Sequence, residues 1–349
     1  MIIAAAFFAV AFFIEILIGK GKQEMNIIFD DFKEEYICEA TKLALCEFER
    51  EIKYNPDIPA KDYKEHISKL LHWLGGGPYG KVALCDGRVV GYILFMGPWD
   101  NFFGNVKGAF SPLGGSAFSV DYENRGRLAS QLFASVAEDF VKNDVFSCAL
   151  SRYAHDEETA KSFVMNGFGI RCCDAVREIS KMDMPNALCN AEFEELSVDE
   201  FSSVKHLQKG LHNHLASAPT FFSSAPFDEW FEKWIKREDM RVFVAKSNEN
   251  IIGFISIADS AENFIAESDG VKNICGAYFD EKYRGRGIAQ GLLSFIRNVL
   301  MSEGVTHLGV DCETLNPTAL NFWGKYFLPY TYSFARRIDE RINNHRNLL

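Results

Sequence analysis

The residues best suited by type and spacing to do chemistry are Arg284, Gly285, Arg286, Gly287, Ile288 and Ala289. They follow an apolar stretch ending in Tyr278 and Phe279 that reads as a strand. They precede a run in which Ile288, Leu292, Leu293, Ile296 and Leu300 recur at helical spacing. The first turn of a helix leaves backbone N–H groups without intrahelical partners, and the helix dipole adds partial positive charge there. A phosphate suits such a cradle. Gly285 and Gly287 permit backbone angles and a close approach that a Cβ would block, while Arg284 and Arg286 bring donors to a pyrophosphate. The spacing is neither the Gly-x-Gly-x-x-Gly of dinucleotide folds nor the Gly-Lys-Ser/Thr of a P-loop.

Strand, RGRGIA loop and amphipathic helix, in that order, resemble the acetyl-CoA loop of the GNAT superfamily of N-acetyltransferases, whose pattern is Arg/Gln-x-x-Gly-x-Gly/Ala. THLGVDCETLN and then PTALNFWGKYFLPY are similar to that family's next strand and helix, with Asn316 near the helix start. Trp323 stands where the family often has a tyrosine, and Phe327-Leu328 where it has Gly-Phe. The resemblance implies acyl transfer from acetyl-CoA, with pyrophosphate on the amides of residues 286–289 and the pantetheine arm along residues 276–279. It also implies a thioester carbonyl aimed at the N–H near Phe279, and Asn316 touching the cofactor. The attacking amine must lose a proton, which requires a base or water chain, and the leaving thiolate needs an acid. Tyr326 and Tyr330 are near the expected position of that acid. No carboxylate identifies itself as the base; Glu267, Asp269, Asp280 and Asp311 read as solvated or capping charges.

A chain of 349 residues is too long for one ordinary core. Its 48% hydrophobic and 24% charged residues are those of a globular protein. The net charge of −11 disfavours a nucleic-acid surface and suits a small amine-bearing acceptor. Nine cysteines, mostly within apolar runs and without zinc-ligand spacing, point to a reduced, cytoplasmic protein with no metal. Residues 1–18 are nearly all apolar, apart from Glu15, and lysines follow at 20 and 22. Charge before the run and a cleavage site after it, the marks of a secretory signal, are lacking. Either this is a membrane anchor, or translation starts at Met25 behind a stretch writable in purine-rich codons; the second is the expectation here.

Further on, helical spacing predicts helices within residues 31–52 and from Lys61, and Asp86-Gly87 predicts a hairpin. Residues 97–115 read as an aromatic loop. The stretch 116–140 then repeats the opening motif: a constant offset of 160 carries Arg284 to Asn124, Gly287 to Arg127, Ala289 to Ala129 and Asn316 to Asp156. A register held this long signals duplication of a whole domain. The long Arg127 side chain stands where backbone must approach phosphate, so the first copy is expected to keep the fold and bind acetyl-CoA weakly or not at all. His155 and Asp156 read as surface and capping residues.

A proline and a loss of periodicity place a boundary near Pro185. The second copy opens with FEELS as its first strand and then a helix over residues 197–215; His206, His212 and His214, on or just beyond that helix, read as surface or core. A helix with Phe227, Trp230, Phe231 and Trp234 on one side follows, then a hairpin at residues 248–250 and a variable segment over residues 259–273 that shows no pattern. The expected architecture is α/β of the mixed α+β kind: a hydrophobic segment 1–24, then two tandem GNAT-like domains, 25–185 and 186–349. Each has a mixed, mainly antiparallel sheet flanked by helices. Two functions fit: an N-acetyltransferase for a small amine, or a non-catalytic acyl-CoA-binding regulator.

Overall fold

The computed structural model describes residues 27–184 and 190–343. The apolar segment, the start at Met25 and the boundary at Pro185 lie outside the described residues. Among those described, no helix is long and apolar enough to cross a membrane.

The first half runs β1 (Ile27–Asp31), α1 (Ile37–Tyr54), α2 (Lys64–Gly75), β2 (Tyr79–Cys85), β3 (Arg88–Trp99), β4 (Lys107–Ser111), β5 (Ser116–Phe118), α3 (Arg125–Lys142), β6 (Val145–Tyr153), α4 (Glu157–Met165) and β7 (Gly169–Glu178). The second half runs β8 (Glu192–Leu196), α5 (Lys205–Ala216), α6 (Phe227–Ile235), β9 (Met240–Ser247), β10 (Asn250–Ala258), β11 (Val271–Phe279), α7 (Ile288–Ser302), β12 (His307–Glu313), α8 (Pro317–Trp323) and β13 (Leu328–Arg337). The hairpins turn where the sequence places them. Asp86 and Gly87 have φ of 49° and 75°, and Asn248 and Glu249 have 49° and 65°. Paired left-handed residues match the twist of the flanking strands.

Three readings change. Residues 97–115 are not one loop, because β3 extends to Trp99 and β4 starts at Lys107. The helix expected from Ser197 begins as a 3₁₀ turn over Val198–Val204, closed by a capping box in which the Glu200 carboxylate accepts from the Ser197 N–H at 3.0 Å. The segment before β11, which showed no pattern, sends Phe264 and Ile265 into the core of the first half, where the Phe264 ring lies 4.9 Å from Tyr63.

All thirteen described strands form one mixed, mostly antiparallel sheet, in the order β1-β2-β3-β4-β6-β13-β7-β12-β11-β10-β9-β8, with β5 against β3. Its parallel pairs are β4 with β6 and β11 with β12. The two halves exchange their last strands: β13 lies on β6, β7 lies on β12, and the two pair with each other. On one face of the second half, Leu292, Leu293, Ile296 and Leu300 of α7 cover Ile255, Ile257, Leu308 and Val310. On the other face Leu207, Phe231 and Trp234 cover Val242, Val244 and Phe254, so the aromatic side of α6 is core.

Because β13 supplies hydrogen-bond partners to both halves, a chain truncated before Leu328 is expected to lose cooperative unfolding throughout. Calorimetry showing an intact transition in the truncated chain would mean that the exchange is dispensable.

Candidate functional site

The parallel pairing of β11 with β12 runs from Val271↔His307 to Ile274↔Val310 and stops. At that point β11 carries one extra residue. Ser256 faces Gly276 while Ile257 faces Ile274, which leaves Cys275 as a bulge. A bulge bends its strand and ends regular pairing, and here it drives β11 away from β12 in a fork. Beyond it, β11 is held by β10 alone. The Asp280 N–H donates to the Ile252 carbonyl at 3.0 Å. By the alternation of an antiparallel ladder, the N–H groups of Ala277 and Phe279 therefore face the open edge.

The fork opens into a cleft of about 290 Å³ that brings together Tyr278, Phe279, Arg284, Gly285, Gly287, Ile288, Ala289 and Asn316 of the expected set. Arg286 stays beside it, its guanidinium 5.9 Å from the ring of Tyr283, which lines the cleft. Gly285 and Gly287 have φ of 73° and 78°, and Gly287 is the N-cap of α7. A Cβ on Gly285 would meet nothing, so its left-handed backbone, not crowding, calls for glycine there. Arg284 donates through Nε to the Phe279 carbonyl at 2.9 Å and lies over the Tyr278 ring at 5.0 Å. Asn316 caps α8, accepting from the Ala319 N–H at 3.2 Å.

His214, read from the sequence as surface or core, lines this cleft, with Nε2 3.3 Å from the Asn316 Oδ1. That oxygen can only accept, which puts the ring proton on Nε2. The spacing of His214 from Leu211, an apolar cleft residue one turn earlier, was the available signal. His206 and His212 instead meet the carbonyls of Ser203 and Ala225. The two tyrosines are set apart from the cleft. Tyr326 packs on Phe322 beside Gln290, which lines the cleft. Tyr330 is buried, bonded to Asn263 at 3.1 Å, and borders a second cavity together with Asp174 and Asp311. Trp323 lines the cleft itself.

The corresponding place in the first half is filled. Helix α3 begins at Arg125, whereas α7 begins at Ile288, three residues later in the repeat register. The stretch that is an open loop in one copy is thus wound into helix in the other. The Gly126 N–H at this helix start is taken by the Glu158 carboxylate at 3.0 Å. Arg125, at the position of Gly285, donates to Asp156 at 2.9 and 3.1 Å and to Glu47 at 3.1 Å. Arg152 reaches Glu47 at 2.8 Å and the Ser116 carbonyl at 2.6 Å. All four charged side chains are buried. Burial works against the charge on Asp156, but Arg152 and Arg125 outweigh it and hold the carboxyl at about 2. Asp156 is therefore a buried ion-pair partner and not a surface cap, while His155 sits on Glu51 at 2.8 Å.

Residues 208–327 match the model of the acetyltransferase (GNAT) family. Among solved structures, a GCN5-related N-acetyltransferase from Sphaerobacter thermophilus is similar over 91% of this chain and 97% of its own, with a TM-score of 0.57 and 13% identity. The GCN5-related glucosamine N-acetyltransferase region of a fungal multi-domain GH3 β-N-acetylglucosaminidase is similar over 91% of this chain but 39% of that one, with a TM-score of 0.52 and 16% identity. At these identities the likeness is one of fold. A search of the curated proteins gave no match.

Arg152→Met leaves Glu47 and Asp156 short of a buried cation, and should cost about 3–5 kcal/mol of stability in chemical denaturation. A loss below about 1 kcal/mol would show that the network does not hold the first half together.

Proposed function

We propose, from the match of residues 208–327 to the acetyltransferase (GNAT) family model, that the chain moves an acetyl group from acetyl-CoA to an amine of a small molecule, in the open cleft of the second half. One observation carries this reading: the fork leaves the N–H groups of Ala277 and Phe279 unpaired beside a glycine-capped helix start. Free amides at a helix N-terminus are complementary to phosphate, and unpaired amides on a strand edge are complementary to the oxygen of a polarised thioester.

The residues present fit the co-substrate. The amides of Arg286, Gly287, Ile288 and Ala289 would hold the pyrophosphate. Arg284, with its Nε engaged on Phe279 and its Nη1 3.7 Å from the exposed Glu281 carboxylate, keeps Nη2 for the same anion. Tyr278 and Phe279 would flank the pantetheine arm, and the Asn316 amide nitrogen remains for the cofactor. Fixing amine and thioester in one cleft converts a two-molecule encounter into an intramolecular one. For the proton needed by the leaving sulfur, Tyr326 lies beside the cleft residue Gln290, and Tyr330 borders the cavity beyond the fork. Because neither hydroxyl lies in the cleft itself, a binding protein without turnover remains the second reading.

Isothermal titration with acetyl-CoA tests the cradle. Gly287→Glu should weaken binding at least about a hundredfold, since like charges brought together cost several kcal/mol. Arg127→Glu in the first half should leave binding unchanged; loss there would move the site to the first copy. Release of CoA with an amine acceptor separates the enzyme from the binding protein, and Tyr326→Phe should slow it about tenfold or more if Tyr326 is the acid.

A further inference from the structure

The β3–β4 and β10–β11 connections are the same loop in the two copies. An offset of 162 carries Gly91 to Gly253, each paired with the phenylalanine that ends its fork strand. The same offset carries Asp100-Asn101-Phe102-Phe103 to Glu262-Asn263-Phe264-Ile265. The two loops are placed in opposite ways. Phe264 and Ile265 are buried in the sealed half, where the Phe264 ring lies 6.3 Å from Phe48 of α1 and 4.9 Å from Tyr63 at the start of α2. Phe103 is 47% exposed and stands at the edge of the open half. The Arg171 guanidinium is 3.5 Å from the centre of its ring and 5.4 Å from that of Phe222, in the α5–α6 connection. Phe102 stacks behind Phe103 at 4.2 Å and Trp99 behind Phe102 at 5.6 Å. One copy of the loop thus plugs the helix pair of the opposite half, and the other copy holds its aromatic rings in the open.

A closed circuit of contacts ties these rings to the cleft. The Phe222 N–H donates to the Leu215 carbonyl at 2.7 Å, and His214, the residue before Leu215, meets Asn316 at 3.3 Å on the cleft wall. From Asn316 the chain leads back through Leu315 to Thr314, whose N–H donates to the Arg171 carbonyl at 2.8 Å. Leu315, Ile170 and Phe221 are exposed along the same rim, so the apolar surface continues outward from the mouth of the cleft. Phe103 and Phe221 also hold left-handed backbone, with φ of 53° and 46°. Bulky side chains rarely adopt it, and where the surroundings impose it the site is often a ligand clamp. Two phenylalanines are here held out toward solvent at a cost in backbone energy.

We propose that Phe103 and Phe222, with the Arg171 guanidinium between them, seat an aromatic ring of the acceptor, whose amine then reaches into the cleft past Asn316. The inference rests on the acetyltransferase reading and names its acceptor class: a primary amine carried on an aromatic body. Aromatic rings pack edge-on or offset against one another, and a guanidinium is attracted to a ring face. The sealed half shows the same preference, since the ring set against its helix pair, Phe264, meets Tyr63 edge-on at 60°. The seat exists only where the copies meet, because Phe103 and Arg171 belong to the first and Phe222 to the second. Arg171 is held in place by Glu313, 3.5 Å from its Nε.

The test follows CoA release by the full chain with acetyl-CoA and either 2-phenylethylamine or ethylamine, the same amine without the ring. The kcat/KM value should favour phenylethylamine by at least about tenfold, as removing a ring from water implies. Phe103→Ala and Phe222→Ala should each cut that ratio about fivefold or more, through KM, with affinity for acetyl-CoA unchanged. Phe103→Tyr should preserve it. Because the Phe103 ring is half exposed, Phe103→Ala should leave the melting transition in place. Equal kcat/KM on the two amines, a ratio unmoved by Phe103→Ala, or a Phe103→Ala chain that melts far below the wild type would overturn the proposal. So would a dimer in sedimentation that Phe103→Ala dissociates, since a second copy would then cover the rings. If acetyl-CoA binds and no amine releases CoA, the acetyltransferase reading itself fails. Calorimetric titration of 2-phenylethylamine then decides the seat alone: binding weakened by Phe103→Ala supports it, and absent or unaltered binding overturns it.

Discussion

Backbone amides must find partners, and this molecule is organised around the one place in each half where parallel strands deny them. β11 follows β12 only as far as Ile274, and the bulge at Cys275 turns the rest of the strand away. Everything the cleft offers follows from that geometry. The unpaired edge at Ala277 and Phe279 needs hydrogen-bond partners, the start of α7 needs an anion, and the two lie beside each other because the loop from β11 to α7 is short. A regular parallel pair continued to Phe279 would have left no cleft and no polar edge.

The exchange of β7 and β13 makes the two halves interdependent. Each half presents β6 or β12 as a strand with one free edge, and each receives its partner from the other copy. Exposed edges invite pairing with other chains, and the exchange buries both within one molecule. It also brings Asp174, encoded in the first copy, directly opposite Asp311 in the second. The loop before β11 extends the coupling. Phe264 packs on Phe48 and Tyr63, and the Tyr63 hydroxyl meets Ser268 at 2.6 Å.

Local patterns were legible in the sequence and long-range pairings were not. The RGRGIA loop, the helix after it and both hairpin turns rest on short-range spacing, and the structure places these elements as read. Spacing along one chain carries no record of which copy's strand lies beside β12, so Asp174 went unnoticed. Its signal was a carboxylate inside the apolar run Cys172-Cys173-Asp174-Ala175-Val176, a composition that burial alone would not select. Asp156 was misjudged for a related reason. Residues at a helix start read as caps, and only the tertiary fold reveals that Arg125 and Arg152 converge on this one.

The two forks show why the sealed one needed ions and not an apolar plug. Where strands part, carbonyls and amides line the gap, and an apolar side chain would leave them unsatisfied. In the first half, Glu47 accepts from the Phe118 N–H at 2.9 Å, Arg125 donates to the Phe118 carbonyl at 3.3 Å, and Arg152 donates to the Ser116 carbonyl. Each charged group thus serves the strand edge as well as its ionic partner, which offsets the cost of burying it. Arginine is the suitable plug because its five donors can address backbone and carboxylate together. In the second half a single arginine, Arg284, reaches the strand edge, through one nitrogen to the Phe279 carbonyl, and the amide beside it stays free. An open fork is therefore the same fold with its internal ligand withdrawn, leaving polar groups whose needs only an incoming molecule can meet.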